Sequence, residues 1–323
     1  KTFFIKVDYL KLIFKLNQFC SIIFKSFDNL LFWETFYEIF NIKKNINFTV
    51  DHGMTSNFLH RKHKVKTIFI YPHFTEQLSN FFYKGYPTSS DWSYLEYDEI
   101  FCDKTSKKYL DTLISYNKFN EIGFLFQNYI KFKNKEKIKN ELKISNNKKT
   151  IFFYDASIGP KGVMTLNESK NFYDAINFFI QKTDFNIGLR LKTTKIINEN
   201  NYIKNQISNL KKNSRFKLLN NFKIEKYSLL CVPDLIISCP ISTIIFEALS
   251  LDKKLLIFNP YKRYKNLPFL IFNDSKLIQS AENFQDLLNS AENIIKNDYK
   301  INNYGKYFLK TDDSLKNLEK LII

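Results

Sequence analysis

Cysteine, glycine and proline are all scarce in this chain of 323 residues, which contains 4 Cys, 7 Gly and 7 Pro. So few glycines and prolines argue against a loop-rich or fibrous protein. The cysteines are Cys20, Cys102, Cys231 and Cys239. They form no CxxC motif and have no metal-ligand spacing, which fits a reduced, cytoplasmic protein better than a disulfide-built or zinc-binding one.

Long uncharged apolar runs are also missing. A helix that spans a bilayer needs about 20 such residues, and the run Leu16–Phe24, between Lys15 and Lys25, is too short. Residues 1–44 nevertheless combine many Phe, Ile and Leu residues with lysines at helical spacing. This pattern predicts one or two helices that either pack into the core or lean on an anionic membrane surface. Peripheral association with the inner face of the cytoplasmic membrane therefore stays open.

Positive charge is abundant, with a formal net charge of +17. Lys, Asn, Ile and Phe are raised together, as in the products of a very AT-rich genome, so part of the charge is compositional. No recognised nucleic-acid-binding module accompanies it, and we expect no nucleic-acid partner. A basic surface would suit nucleotide-sugar diphosphates, an anionic glycan or an anionic membrane. The hydrophobic fraction of 44% allows a sizeable core, and the length suits two domains.

The most informative stretch lies between residues 231 and 261. Its predicted elements are a buried strand at Leu235–Ile237, a turn of small residues at 238–242, a helix at Thr243–Leu251 and a second strand at Leu255–Phe258. Ser242 is a natural N-cap for the helix. Together these elements form one right-handed crossover unit of a parallel sheet, and the turn presents backbone N–H groups where a phosphate can bind. On this pattern alone, an ordinary crossover with a capped helix is the alternative.

The line DLIISCPISTIIFEAL resembles the donor-binding element of GT-B-type glycosyltransferases, especially those of bacterial surface and capsular polysaccharide biosynthesis. The resemblance implies that Ser242 and Thr243 hold the donor's phosphate groups and that Glu247 accepts hydrogen bonds from a ribose diol. The chain departs from the family pattern in carrying Cys239-Pro240 where a second Ser or Tyr is usual. It has no DxD motif, which suits a GT-B enzyme because these usually work without a metal. We therefore expect no metal and no cofactor, with the nucleotide sugar as a substrate.

A charge-rich stretch, Lys131–Lys149, predicts the domain boundary. We expect an N-terminal, acceptor-side domain over residues 1–131, a linker over 132–149 and a nucleotide-sugar-binding domain over 150–323, with the option that its last helix packs back on the first domain. The predicted fold class is α/β, with two Rossmann-like domains facing across a cleft as in GT-B proteins. Within the first domain, Lys104–Tyr116 reads as a helix, and Phe119–Phe124 reads as the end of a strand.

Two further positions in the second domain are candidate phosphate contacts. The loop DASIGPKG follows a predicted strand at Thr150–Tyr154, where family members wrap the donor's phosphates with a glycine-bearing turn. Gly159 lets the backbone approach closely, and Lys161 can neutralise phosphate charge. Lys192 ends the next predicted strand, where family members often carry a cation that meets the phosphates or the nucleotide. A solvated lysine is the alternative there.

The chain's histidines are His52, His60, His63 and His73. His60 and His63 lie among cations without an acidic or cysteine ligand nearby, so we predict a solvated basic stretch and no metal site. His52 instead closes a strand beside Gly53, in the domain where many inverting GT-B enzymes place their general base. The resemblance implies that His52, or its neighbour Asp51, deprotonates the acceptor. A turn histidine bonded to backbone is the structural alternative.

These expectations combine into one predicted function. The chain would transfer a sugar from a nucleotide-activated donor to a surface polysaccharide or lipid-linked saccharide acceptor. The alternatives are a polyol-phosphate transferase, a UDP-sugar epimerase on the same fold, and a non-catalytic scaffold of glycan assembly. The nucleotide base, the sugar, the acceptor and the anomeric outcome are not specified by these residues.

Overall fold

The chain folds around two separate β-sheets in an α/β architecture. A computed structural model describes residues 31–47, 60, 62–71, 96–111, 114–123, 134–156, 158, 164–239, 243–262, 279–297 and 311–319. The strands are β1 (Lys44–Asn47), β2 (Lys66–Ile70), β3 (Glu96–Cys102), β4 (Ser115–Glu121), β5 (Thr150–Tyr154), β6 (Asn186–Arg190), β7 (Phe216–Leu218), β8 (Leu235–Ser238), β9 (Leu255–Phe258) and β10 (Gln279–Ala281). The helices are α1 (Lys104–Leu110), α2 (Lys135–Glu141), α3 (Leu166–Lys182), α4 (Lys195–Glu199), α5 (Asn201–Leu210), α6 (Lys226–Leu229), α7 (Thr243–Ser250), α8 (Phe284–Lys296) and α9 (Thr311–Glu319).

Residues 31–39 are also helical, and residues 219–221 form a short 3₁₀ turn. Across the ranges that the structure describes, we find no helix with the length and apolar character needed to cross a membrane.

The elements fall into two compact units, each built around one sheet. The first unit comprises Lys1–Ile70, Ser90–Phe101 and Leu113–Phe119, and the second comprises Tyr71–Ser89, Cys102–Thr112 and Asn120–Ile323. The prediction of an α/β chain with two Rossmann-like domains is confirmed. The boundaries drawn from sequence at residues 131 and 150 stay a prediction.

The first sheet has the strand order β1-β2-β3-β4. β1 pairs with β2 and β2 pairs with β3, both in parallel. Side chains at the amino ends of β2 and β3 bind each other: the Asp98 carboxylate accepts hydrogen bonds from the Thr67 backbone N–H at 2.7 Å and from its hydroxyl at 3.1 Å. These bonds fix the relative position of the two strands where the sheet begins.

The second sheet has the order β10-β9-β8-β5-β6-β7, and all neighbouring strands in it are parallel. Counted from β5 as the first strand, this is the order 3-2-1-4-5-6 of a doubly wound dinucleotide-binding fold. Strands β5, β8 and β9 are buried on both faces, as expected where helices cover a parallel sheet. The sequence therefore reads as short continuous apolar runs at these strands.

Helix α3 illustrates how local sequence builds this domain. Thr165 and Glu168 form a capping box, in which the Glu168 carboxylate accepts a hydrogen bond from the Thr165 backbone N–H at 2.8 Å. Phe172, Ile176 and Phe179 lie on one face of the helix and are fully buried. The helix thus begins at a polar cap and buries one apolar stripe against the sheet.

Strands β5 and β6 pack so closely that one position requires glycine. A Cβ atom added at Gly188 would lie 2.5 Å from Cδ1 of Phe152 on the neighbouring strand. Real side-chain contacts do not reach this distance, so the Phe152 ring occupies the space that any other residue would need.

Several predicted elements are confirmed, and the prediction for one region is wrong. The strands at Thr150–Tyr154 and Leu255–Phe258 have the predicted bounds, and the helix predicted at Thr243–Leu251 is α7. The helix predicted at Lys104–Tyr116 instead ends at Leu110, and β4 occupies Ser115–Glu121. Ser115 and Tyr116 have only modest helical propensity, and they pair beside β3 instead of continuing the helix.

Candidate functional site

The strand order of the second sheet creates a switch point between β5 and β8. The chain leaves β5 towards β6 on one side and leaves β8 towards β9 on the other. In open α/β sheets, ligands bind outside the carboxyl ends of the strands at such a point. The residues there are Asp155 after β5, Lys192 shortly after β6, and Ser238 at the end of β8, ahead of helix α7.

Asp155 is the most unusual ionisable group at this edge. Its side chain is buried, with 7% of the residue exposed. One carboxylate oxygen accepts the backbone N–H of Lys192 at 2.5 Å, and the other accepts the hydroxyl of Tyr173 at 3.0 Å. The carboxylate therefore ties the segment after β6 to the end of β5 and to helix α3.

Burial raises the pKa of Asp155 to about 7, although both hydrogen bonds and the nearby Lys192 charge act in the opposite direction. Desolvation dominates because a buried carboxylate loses its hydration shell. At neutral pH this carboxyl group exchanges between its charged and neutral forms. A proton-binding group of this kind, placed at a ligand-binding edge, is typical of functional sites.

Lys192 lies beside Asp155, joined to it by the bond from its backbone N–H, and its predicted contact with a phosphate or nucleotide stays a prediction. Its side chain is exposed, and in the described ranges it has no carboxylate within ion-pair distance. Its backbone is fixed by the bond to Asp155, while the ammonium group stays in solvent. The arrangement leaves a cation available to an anionic ligand at the carboxyl end of the sheet.

Glu247 lies on α7 and is buried, with 1% of the residue exposed. Its Oε1 atom is 2.6 Å from the ammonium nitrogen of Lys226 on helix α6. That nitrogen also lies 5.3 Å from the centre of the Tyr227 ring, within the range of a cation–π interaction. Glu225 caps α6 by accepting the backbone N–H groups of Tyr227 and Ser228. The capped helix thus holds Lys226 against the Glu247 carboxylate.

Tyr154, the last residue of β5, belongs to the same surroundings. Burial raises its pKa above the usual value, and the charge of Glu247 raises it further. Its hydroxyl therefore stays protonated at physiological pH. Glu247, its partner Lys226 and the nearby Tyr154 hydroxyl thus form a polar cluster at the carboxyl end of the sheet.

Most of the other predicted site residues lie outside the described residues. These are His52, Asp51, Gly159, Lys161 and Ser242. Thr243 is the first residue of α7, which confirms that a helix N-terminus follows β8, although its side chain lies outside the description. Of the predicted contacts, the structure thus describes Lys192, just after β6, and Glu247, on helix α7 after β8, both in the second domain.

The prediction for His60 is wrong. His60 is buried with 2% exposed, and its Nε2 atom lies 2.6 Å from the Tyr37 hydroxyl. Burial lowers its pKa to about 4, against the opposite effect of Asp98. The neighbouring cations suggested a solvated stretch, but this one side chain turns inward. His63 lies 3.2 Å from Glu34, and no group of metal ligands occurs among the residues that the structure describes.

Asp155 and Lys226 were not identified from sequence. Asp155 carried a signal, because a polar residue directly after a fully apolar strand lies at the carboxyl end of the sheet. Lys226 had no such signal in the sequence, because it is 21 positions from Glu247 and only the tertiary fold brings the two together.

No family model and no curated protein sequence matches the chain significantly. Several solved structures, however, are similar to it in fold. The UDP-GlcNAc 2-epimerase from Methanocaldococcus jannaschii is 14% identical over 92% of this chain and 81% of its own, with a TM-score of 0.63. A glycosyltransferase from Rickettsia africae is 14% identical over 92% of this chain and 80% of its own, with a TM-score of 0.51. The wall teichoic acid polymerase TagF is 14% identical over 85% of this chain and 69% of its own, with a TM-score of 0.52.

These similarities define a class of fold. At 14% identity, the likeness extends to architecture and not to reaction. The chain has a GT-B-like fold of two Rossmann-like domains, shared with enzymes that include epimerases and glycosyltransferases. The predicted GT-B fold is confirmed. The M. jannaschii epimerase also has a structure with UDP-GlcNAc and UDP, whose TM-score with this chain is 0.56.

Proposed function

We propose that this protein is a metal-independent glycosyltransferase that moves a sugar from a nucleotide-activated donor to a surface polysaccharide or lipid-linked saccharide. The observation that carries the proposal is the switch point of the second sheet, which is followed by the N-terminus of α7 and by Glu247 one turn later. This is the position at which a doubly wound domain binds a nucleotide.

Each site residue has a role in this proposal. Backbone N–H groups at Ser242 and Thr243 and in the loop at Gly159 bind the donor's phosphates, and Lys161 and Lys192 supply positive charge. These groups stabilise the leaving phosphate as negative charge develops on it, which replaces the contribution of a metal ion. Glu247 accepts hydrogen bonds from the ribose diol, and Lys226 holds its carboxylate in place.

We assign the role of the general base, which removes the acceptor's proton, to His52, with Asp51 as the second choice. A general base contributes about 10²- to 10⁴-fold to a rate. His52→Ala should therefore lower turnover by that order and leave donor affinity unchanged, because the donor groups belong to the other domain. His63→Ala is the suitable control, whereas His60→Ala is not, since His60 is buried. Full activity of His52→Ala would move the role to Asp51.

The exposed apolar side chains of the first domain support peripheral association with a membrane. Leu31, Phe32 and Ile39 lie on one side of the helical residues 31–39 and are 50%, 60% and 67% exposed. The exposed Lys43 and Lys44 follow in sequence. Apolar side chains beside cations suit an anionic lipid surface, where a lipid-linked acceptor would be met.

A UDP-sugar epimerase is the second candidate, and one observation favours it. The epimerase from M. jannaschii has a TM-score of 0.63 with this chain, against 0.51 and 0.52 for the Rickettsia glycosyltransferase and TagF. The same nucleotide site would serve both reactions.

Nucleotide binding and product analysis separate these functions. Thermal shift against UDP, GDP, CDP and CMP identifies the base, because a ligand selective for the folded state raises the midpoint. The matching nucleotide sugar is then incubated with and without glycan acceptors. Nucleotide release that requires an acceptor supports transfer, and an epimerised nucleotide sugar without acceptor supports the epimerase. A wild-type chain that binds no nucleotide would contradict both and favour a scaffold.

Glu247→Gln tests the site itself. The amide keeps the volume and can still accept from Lys226, but it loses the charge that strengthens a ribose hydrogen bond. Affinity should fall roughly 10- to 100-fold, as for the loss of a charged hydrogen bond. Glu292→Gln, on the outer face of α8, is the matched control and should bind like wild type. Unchanged affinity in Glu247→Gln would contradict the assignment.

A further inference from the structure

Four lysines form a cluster at the amino end of the second sheet, opposite the switch point. The members of this lysine cluster are Lys135, Lys139, Lys149 and Lys253. At its centre Asp234, directly before β8, accepts the backbone N–H of Thr150, the first residue of the neighbouring β5, at 2.8 Å. The ammonium nitrogen of Lys135 lies 3.5 Å from the same carboxylate, and that of Lys253 lies 3.4 Å from the carbonyl of Pro233. The switch-point argument does not account for this cluster, because ligands of α/β sheets bind at the carboxyl ends of strands.

Lys139 is the member of the cluster whose charge is unpaired. It follows Lys135 by one turn of α2, so both side chains extend from the same face of the helix. The residue is buried, with 7% exposed, and it forms no hydrogen bond or ion pair with the residues that the structure describes. Its ammonium nitrogen is not among the sealed polar atoms of those residues, so it remains open to solvent. Because lysines are rarely buried without a paired anion, this position suits an anion that arrives from solvent.

Lys253 adds a second partly buried cation. Its ammonium nitrogen donates to the carbonyl of Cys231 at 2.9 Å. Burial lowers the pKa of Lys253 to about 8, and the charges of Lys135 and Lys139 act in the same direction, against Cys231 and Asp234. The like charges of the cluster therefore disfavour one another's protonated forms.

The cluster carries more positive charge than its surroundings neutralise. Burial lowers the pKa of Lys139, Lys135 and Lys149 lower it further, and Asp234 and Glu136 act in the opposite direction. These two carboxylates thus face four ammonium groups, which leaves an excess of two positive charges in the described part of the cluster. An anion with two negative charges would balance this excess and provide Lys139 with a partner.

We propose that the lysine cluster binds a dianionic phosphate group, with Lys139 as the main contact and with Lys135 and Lys253 completing the site. Ammonium groups bind phosphate as point charges through short, charge-assisted hydrogen bonds. The inference does not depend on the proposed transfer reaction, since it concerns the opposite end of the sheet. A free phosphate compound and an anionic lipid head group present the same chemistry, and the experiment separates them.

The first test titrates the whole chain with inorganic phosphate, pyrophosphate and sulfate by calorimetry, at an ionic strength held constant with sodium chloride. Lys139→Met removes the charge and keeps an unbranched apolar stem. Its affinity for the anions should fall roughly 10- to 100-fold, as for the loss of a charged hydrogen bond. Lys139→Arg keeps the charge and should retain binding. Lys137→Met, from an exposed position of the same helix, is the matched control and should bind like wild type.

The pH dependence of sulfate binding is a readout that a merely structural role would not produce. Sulfate stays a dianion between pH 7 and pH 9, so any change in its affinity reports on the protein. A bound anion favours the charged ammonium, and binding therefore takes up a proton where Lys253 titrates. Sulfate affinity should fall as the pH rises through about 8. Without ligand, Lys139→Met should unfold at the same or a higher urea concentration than wild type, because a like-charge contact is lost.

Vesicles separate the two sources of the phosphate group. Phosphatidylcholine vesicles that contain phosphatidic acid are sedimented with wild type, Lys139→Met and Lys137→Met. Weaker sedimentation of Lys139→Met alone assigns the site to a lipid head group. Equal sedimentation of all three, together with the loss of anion affinity in Lys139→Met, assigns it to a free phosphate compound. Both results support the proposal.

Three results would overturn the proposal. The first is that neither the anions nor the vesicles show binding that Lys139→Met weakens more than Lys137→Met does, which would reveal a diffuse effect of charge or a site elsewhere. The second is a sulfate affinity that does not fall as the pH rises through about 8. The third is a lower ligand-free midpoint in Lys139→Met, which would assign the lysine a structural role.

Discussion

We expect the Asp155→Asn variant to gain stability relative to wild type as the pH rises. The quantity compared is the difference in unfolding free energy between variant and wild type. The asparagine amide can keep both hydrogen bonds, since its oxygen accepts from the Lys192 backbone and its nitrogen donates to the Tyr173 hydroxyl. What the substitution removes is the buried charge. The test therefore isolates the desolvation cost that raises the pKa of this carboxyl group.

The sign and size follow from linkage. The folded-state pKa of Asp155 is raised to about 7 from an ordinary value of 3.8. Between these values the folded protein holds a proton that the unfolded chain has released. The contribution to stability is therefore complete below the unfolded pKa and is lost as the pH rises through the folded pKa. For one site, about 2.5 kcal/mol of unfolding free energy is lost between about pH 5 and pH 8.

Urea unfolding of both proteins, followed by far-UV circular dichroism at several pH values, measures this effect. The difference between variant and wild type is the useful quantity. Burial lowers the pKa of His60 to about 4, which adds a pH dependence of the opposite sign that is common to both proteins. Asp174→Asn is the matched control, because that carboxylate also accepts a tyrosine hydroxyl but is reached by water. A difference for Asp155→Asn that stays constant from pH 5 to pH 8 would refute the reasoning.

Three further predictions concern other parts of the fold. Lys226→Met should destabilise the second domain in urea unfolding by about 1–3 kcal/mol, because the buried Glu247 loses its cation, whereas Lys262→Met, from an exposed pair with Glu282, should change stability little. Equal effects would contradict the importance of burial. Gly188→Ala should cost about 1–3 kcal/mol or more through its clash with Phe152, and a wild-type midpoint would show that the strands separate easily. The Phe32→Ser, Ile39→Ser double variant should sediment less with anionic vesicles, and Leu166→Ser, a 49% exposed residue of the second domain, should not; equal sedimentation would place membrane contact elsewhere.

Much of the second domain was predictable because the inner strands of its sheet are buried on both faces. Such strands read as short apolar runs, and β5 and β9 therefore have the bounds predicted from sequence. In the first domain, residues 115–121 carry mostly polar side chains around Tyr116 and Phe119, and no periodicity distinguishes a strand from the continuation of α1. Only pairing beside β3 decides the matter, and pairing partners are not visible locally.

The site was predictable to the extent that it follows from position along a strand. Lys192 and Glu247 were identified through the resemblance to GT-B-type glycosyltransferases, whose pattern gives each a place after an apolar run. The ion pair of Glu247 could not be predicted, because its partner Lys226 comes from a four-residue helix elsewhere in the sequence. The prediction that His60 is solvated was wrong for a related reason. Lys62 and Lys64 are exposed, but the helical turn carries His60 on its inner side, where the imidazole meets the Tyr37 hydroxyl.

The strand order itself explains why Asp155 was overlooked and why it matters. A sequence pattern identifies β5 and β8 as parallel strands but does not say that they are neighbours. Only their adjacency makes the end of β5 part of a ligand-binding edge, and only the neighbouring β6 brings the Lys192 backbone within reach of the Asp155 carboxylate. A polar residue after an apolar strand is ambiguous until that order is known. Once it is known, the same residue becomes a buried acid at the switch point, with its pKa raised to about 7 by the packing that positions it.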